Sequence, residues 1–122
     1  MAIYSNLPIF KTTYSLMLLC ARAVPNMPKN FRYSLGENLQ KKVMEILLFV
    51  YKANKTQNKM EFLQKMAEEI VEVKVYIRLL TDLRAISEGK YAEMIDLAQS
   101  ISKQIAAWEK YVKQQGSKMV EK

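Results

Sequence analysis

Carboxylates recur at helical spacing in the second half of this chain: Glu68 with Glu72, Glu69 with Glu72, and Glu93 with Asp96. Such pairs hold two metals in some helical proteins, but that chemistry also uses Glu-x-x-His on two helices. The chain has no histidine, so the ligand set is incomplete. The acids are expected to face outward near Lys65, Arg78 or Lys90 as ordinary surface pairs. Cys20 is the single cysteine. It permits no disulfide within the chain and no Cys/His metal cluster. A nucleophilic role would need a neighbouring base that this sequence does not offer, so Cys20 is expected as a small buried residue of an apolar helix. Gly36 and Gly89 are isolated, fit helix starts and form no glycine-rich phosphate loop. No catalytic residue, metal or cofactor is expected, and the chain reads as a non-enzyme.

The cations are the residues left with chemistry to do. Lys11 and Arg22 flank the first apolar helix. Lys29 and Arg32 sit beside the proline-containing loop with Phe31 and Tyr33 interleaved, and Lys41, Lys42, Lys52 and Lys55 follow. Lys74, Arg78 and Arg84 lie in VEVKVYIRLLTDLRAI, where Lys74 and Arg78 are four residues apart and stack on one helix face. Their neighbours Val71, Val75, Tyr76 and Leu79 are apolar, which predicts a half-covered flank. The net charge is +7, and it is uneven. Residues 1–57 hold eight Lys/Arg against two acids, and residues 58–122 hold eleven against ten. A pI near 9.5 favours a polyanionic partner: nucleic acid first, with an acidic protein or an anionic membrane surface as alternatives. Two structural readings stand beside it: a solvated face for Lys41, Lys42, Lys55 and Lys59, and internal ion pairs for Lys74 and Arg78.

Four helices must position these groups. The stretch from Asn58 to Ile86 carries Leu63, Met66, Ile70, Val73, Ile77 and Leu80 at alternating spacings of three and four, the stripe of a helix roughly 40 Å long. A first helix is expected over 8–23, opened by Pro8, with Phe10, Tyr14, Met17, Leu18 and Ala21 inward. A second is expected over 31–53, starting after Asn30 as cap or one turn later at Ser34, which with Glu37 matches a capping box. Its centre, ILLFVY, is apolar all round. Part of that run (Leu47, Leu48, Phe49 and Tyr51) is therefore expected at an interface between subunits. The third helix is expected over 59–86, capped by Asn58. The fourth, over 88–114 and capped by Ser87, turns Tyr91, Met94, Ala98, Ile101, Ile105, Trp108 and Val112 inward. Short polar turns between them imply a single all-α domain over 1–122, an antiparallel up-down-up-down four-helix bundle. No apolar run approaches the roughly 20 residues that span a bilayer. The start of the chain also lacks the charge and small-residue pattern of a secretory leader. A cytoplasmic protein without membrane contact is expected.

Three segments carry a resemblance: LPIFKTTYSLMLLCARAVPNMPKNFRYSLGENL, VYIRLLTDLRAISEGKYAEM and IAAWEKYV. In order and spacing they resemble the family of small four-helix-bundle proteins that includes the accessory variability determinant (Avd) of diversity-generating retroelements. The ribosomal-RNA intervening-sequence proteins are its relatives. The resemblance implies a basic, ring-like homo-oligomer, a homopentamer. It also implies binding of a reverse transcriptase and of RNA and/or DNA, in service of mutagenic retrohoming. By position it assigns Lys74 and Arg78 to the family's paired basic residues and Lys29 to a basic residue after the loop proline. Lys74 stands where the family pattern has arginine, and Ala106-Ala107-Trp108-Glu109 departs from its Gly-x-Trp-Ile-like ending. An intervening-sequence-type protein with a structural role and no reverse transcriptase partner is the alternative within the same fold.

Overall fold

Leu63, Met66, Ile70, Val73, Ile77 and Leu80 are all buried, and the helix that carries them is the spine of the molecule. The computed structural model describes residues 3–121. Its four long helices are α1 (Pro8–Ala23), α2 (Glu37–Lys55), α3 (Lys59–Asp82) and α4 (Glu88–Glu121). No strand occurs among the described residues. Helix α1 packs on α2 and α4, α2 on α3, and α3 on α4, so each helix meets two others around one core. No helix among the described residues is long and apolar enough to cross a membrane.

Local chemistry sets the boundaries, in places against expectation. Helix α1 is rotated by about one residue from the expected face: Ile9, Thr13, Leu16 and Cys20 are buried, whereas Tyr14, Leu18 and Ala21 are exposed. Both sets obey helical spacing, and Leu16 to Leu19 is apolar on every side, so the pattern does not choose between them. Thr13 enters the core because its hydroxyl donates to the Ile9 carbonyl at 2.8 Å, leaving no unpaired polar atom. The segment expected as the start of the second helix is a single α-turn (Lys29–Phe31) followed by a π-helical turn (Arg32–Gly36). The Ser34–Glu37 capping box does not form there. The Ser34 hydroxyl donates back to the Asn30 carbonyl instead. Gly36 lets the turn pack closely, since a Cβ would lie 3.0 Å from Met27 Sδ and 3.3 Å from the Phe31 carbonyl oxygen and would force its neighbours to shift.

Asn58 precedes α3 without capping it. Lys59 performs the other half of that turn: its Nζ donates to the carbonyls of Ala53 (2.8 Å) and Thr56 (2.9 Å) at the end of α2. A cation there satisfies orphan carbonyls and the helix dipole together. Lys59 is thus structural, not a solvated charge.

Helix α3 stops at Asp82, four residues before the expected Ile86. The stop is a Schellman turn: the Ala85 amide donates to the Leu80 carbonyl (2.8 Å) and the Arg84 amide to that of Thr81 (2.9 Å). Arg84 occupies the left-handed position, with φ 61°, where glycine is usual. Arg84→Gly should therefore raise stability by about 0.5–1 kcal/mol in urea denaturation, because the left-handed cost of a side chain disappears. A less stable variant would show that the arginine side chain contributes more than its backbone costs. The expected cap of α4 is present, with the Lys90 amide donating to Ser87 Oγ at 3.1 Å.

Candidate functional site

The basic residues occupy two regions, and the fold decides which of them meet. At one end of the molecule the last turn of α1 lies against the α3–α4 turn. The two enclose a cleft of about 270 Å³ lined by Arg22, Asn26, Ile86, Ser87 and Lys90 among others. Arg84 belongs to the same turn, and Lys29 and Arg32 follow the loop that leaves α1. Four of the seven sequence-predicted cations thus belong to this end. Lys90 joins them without having been singled out. It could be found only by knowing that the α3–α4 turn brings the start of α4 beside Arg22.

Arg78 and Lys74 extend the basic strip one and two turns back along α3. Arg78 is exposed, and its Nε donates to Asp82 Oδ2 at 3.2 Å. Asp82, with Tyr91 beside it, holds the guanidinium above its usual range. Lys74 is half-buried and makes no ion pair among the described residues. Internal neutralisation, the competing expectation for this pair, therefore applies to neither: the one acid on Arg78 is an exposed neighbour on its own helix. Exposed pairs of this kind exchange readily for another anion.

The other predicted cations serve differently. Lys11 lies eleven residues before Arg22 on α1, roughly 16 Å away along the axis, and takes no part in the basic end. Arg32 is half-buried, and its guanidinium donates to the Met27 carbonyl at 3.2 Å while lying 5.8 Å from the Tyr33 ring. It therefore braces the loop as well as presenting charge.

The apolar surfaces also differ from expectation. Leu47 is buried within the subunit, 6% exposed, and Phe49 is half-buried with its ring centroid 6.2 Å from that of Phe62. Leu48 and Tyr51 are exposed, joined by Met44, and form an open stripe on α2. On α3 the flank beside Arg78 is open, not half-covered: Val71 is 58%, Val75 60% and Leu79 41% exposed. These three line a groove of about 350 Å³ with Leu35 and Tyr76. Their signal was a second apolar spacing of four on the outward side of α3.

The acids arrange themselves more tightly than surface pairs would. Glu69 turns toward α2, not outward, and its side chain is only 14% exposed. Lys42 Nζ lies 3.8 Å from Glu69 and 3.4 Å from Glu72. Partial burial works to lower the Lys42 ammonium, and Glu69 and Glu72 outweigh it, so it is held above its usual value. Glu69 is pushed up to about 7, first by burial and then by the neighbouring carboxyls of Glu45 and Glu72; Lys42 offsets only part of this. A raised acid favours the fold when protonated, so this contribution is complete below pH 4.5 and is lost as pH rises through 7. Glu69→Gln should therefore flatten the stability profile between pH 5 and 8 and gain about 1–2 kcal/mol at pH 8. A thermal melt series whose slope is the same in both proteins would contradict this. No group of His, Cys, Asp and Glu among the described residues has the geometry to hold a metal.

A search of curated proteins finds no match to the chain. A family model described as bAvd-like matches residues 8–112, a span that contains all four long helices in whole or large part and every cation of the basic strip. With that span matched, the chain belongs to the bAvd-like family.

Proposed function

We propose that this protein is a non-enzymatic accessory factor of a diversity-generating retroelement. In this reading it binds nucleic acid and a reverse transcriptase through the strip formed by Lys74, Arg78, Arg84, Lys90 and Arg22. The observation that carries the proposal is the strip itself. Arg22 of α1 and Lys90 of α4 line one cleft beside the turn that carries Arg84. Arg78 and Lys74 lie about one and two turns back from that turn along α3, in a chain that belongs to the bAvd-like family. Contacts from such a strip to phosphates carry little sequence information, so binding is broad and depends steeply on salt.

The subunit in this reading is an antiparallel up-down-up-down bundle, since the three-residue connection Thr56–Asn58 leaves α3 little choice but to run back along α2. It assembles as a ring, a homopentamer. What supports assembly is the presence of two unlike apolar stripes, Met44–Leu48–Tyr51 on α2 and Val71–Val75–Leu79 on α3. A head-to-tail ring joins two different patches, whereas a two-fold dimer would join one patch to itself.

Fluorescence anisotropy with a short single-stranded RNA tests the first part. Affinity should fall steeply between about 50 and 200 mM salt, by 100-fold or more if several phosphates are held. Absence of binding at the lowest salt would leave only the structural alternative. Light scattering tests the second part, with a mass well above the 14.2 kDa of one chain expected. A clean monomer would refute assembly.

A further inference from the structure

We propose that the cleft between the end of α1 and the start of α4 is a phosphate-binding pocket, with Arg22 and Lys90 as its charged walls. This deepens the nucleic-acid reading above by naming the ligand of one end of the basic strip. It also stands or falls on its own observations.

Two cations from separate elements line the cleft, and no carboxylate does. Arg22 makes no ion pair among the described residues, and Lys90 has only Glu93, at 3.9 Å. Like charges converging on one cavity without an acid between them repel, and an oxyanion relieves that repulsion while accepting charge-assisted hydrogen bonds from both. The remaining wall supplies neutral donors. Asn26 Nδ2 donates to the Arg22 carbonyl at 3.2 Å, which leaves its second hydrogen free and ties the loop to the residue that carries the charge. Ser87 Oγ accepts the Lys90 amide, while the amides of Glu88 and Gly89 have no acceptor within the helix. At Gly89 a Cβ would have only Ser87 Oγ near it, at 4.0 Å, so the backbone is open to approach there. The helix end would not define a site by itself; the two cationic residues lining the same cavity do. At about 270 Å³, the cleft has the volume of roughly nine water molecules. That is room for a phosphate group with part of its hydration.

The shared chemistry is a phosphate oxyanion, and it can come from the free ion, a 5′-terminal phosphate or an internal phosphodiester. Two-dimensional NMR of the intact protein, titrated with inorganic phosphate against chloride at equal ionic strength, tests the pocket. The Ser87, Gly89 and Lys90 amides and Arg22 Nε should shift with phosphate alone. Arg22→Gln with Lys90→Gln should weaken that response by about ten-fold or more, the loss expected from removing charge-assisted contacts. Both residues are exposed, so the fold should survive, and Lys103→Gln serves as the surface-charge control. Equal shifts with chloride, or an undiminished phosphate response in the double variant, would overturn the proposal. Comparing 5′-phosphorylated with 5′-hydroxyl oligonucleotides then identifies the source. A preference for the former marks a terminal phosphate, and equal affinity marks the backbone. RNA binding without a phosphate response would sink this pocket alone. A phosphate response in a protein that binds no nucleic acid would sink the broader function and leave the pocket standing.

Discussion

RNA binding should weaken by roughly 10- to 100-fold near 0.1 M salt when Lys74 and Arg78 are both replaced by alanine, and the salt slope on single-stranded RNA should fall by about 1.4, the share of two phosphate contacts. The fold should barely notice. Alanine is a better helix former than either residue, and the Arg78–Asp82 pair that is lost is exposed on both sides and contributes little. Circular dichroism should report an unchanged helix content, and light scattering an unchanged mass. Those controls separate loss of a contact from loss of the protein. If the affinity and the slope both stay put, Lys74 and Arg78 do not touch phosphate, and binding rests on the α1–α4 end alone.

The second large effect concerns two adjacent leucines on α3. Leu80 is wholly enclosed and Leu79 is 41% exposed. Leu80→Ala should cost about 2–5 kcal/mol, the transfer of its lost methyl groups plus the cavity they leave. That is a large part of the about 5–15 kcal/mol available to a domain of this kind. Urea denaturation should show the midpoint falling with little change in slope. Leu79→Ala should cost the isolated subunit well under 1 kcal/mol but shift the assembly toward smaller species if the Val71–Val75–Leu79 stripe is covered by a neighbour. Equal destabilisation by the two substitutions would mean that Leu79 is already buried in the assembled protein and that the stripe contributes to folding itself.

How legible all this was in the sequence varied with the local pattern. The α3 stripe was read in full because Leu63, Met66, Ile70, Val73, Ile77 and Leu80 keep one unbroken three–four spacing along the whole helix, whereas Val71, Val75 and Leu79 repeat over only two turns. Helix α1 was misread by one position because Leu16, Met17, Leu18 and Leu19 offer apolar surface all round. The end of α3 was missed because its left-handed residue is Arg84 and not glycine, so the usual stop signal is missing from the sequence. The π-helical turn at Arg32–Gly36 answers to a close approach between Gly36 and Met27, a tertiary contact that no local pattern encodes. For the site, the individual cations were visible but their convergence was not. Arg22 and Lys90 are 68 positions apart in the chain and become neighbours only through the turn after Asp82. Glu69 likewise looked like any surface acid until α2 placed Lys42 and Glu45 against it.

The enclosure of Cys20 gives the protein an internal clock. Its thiol is wholly shielded, and burial pushes its proton affinity up to about 12, so an alkylating reagent finds neither access nor thiolate while the helices stay together. Modification must wait for the core to part. Its rate therefore counts openings of the α1 side of the molecule, and any ligand or neighbouring subunit that holds the helices closed should slow the count.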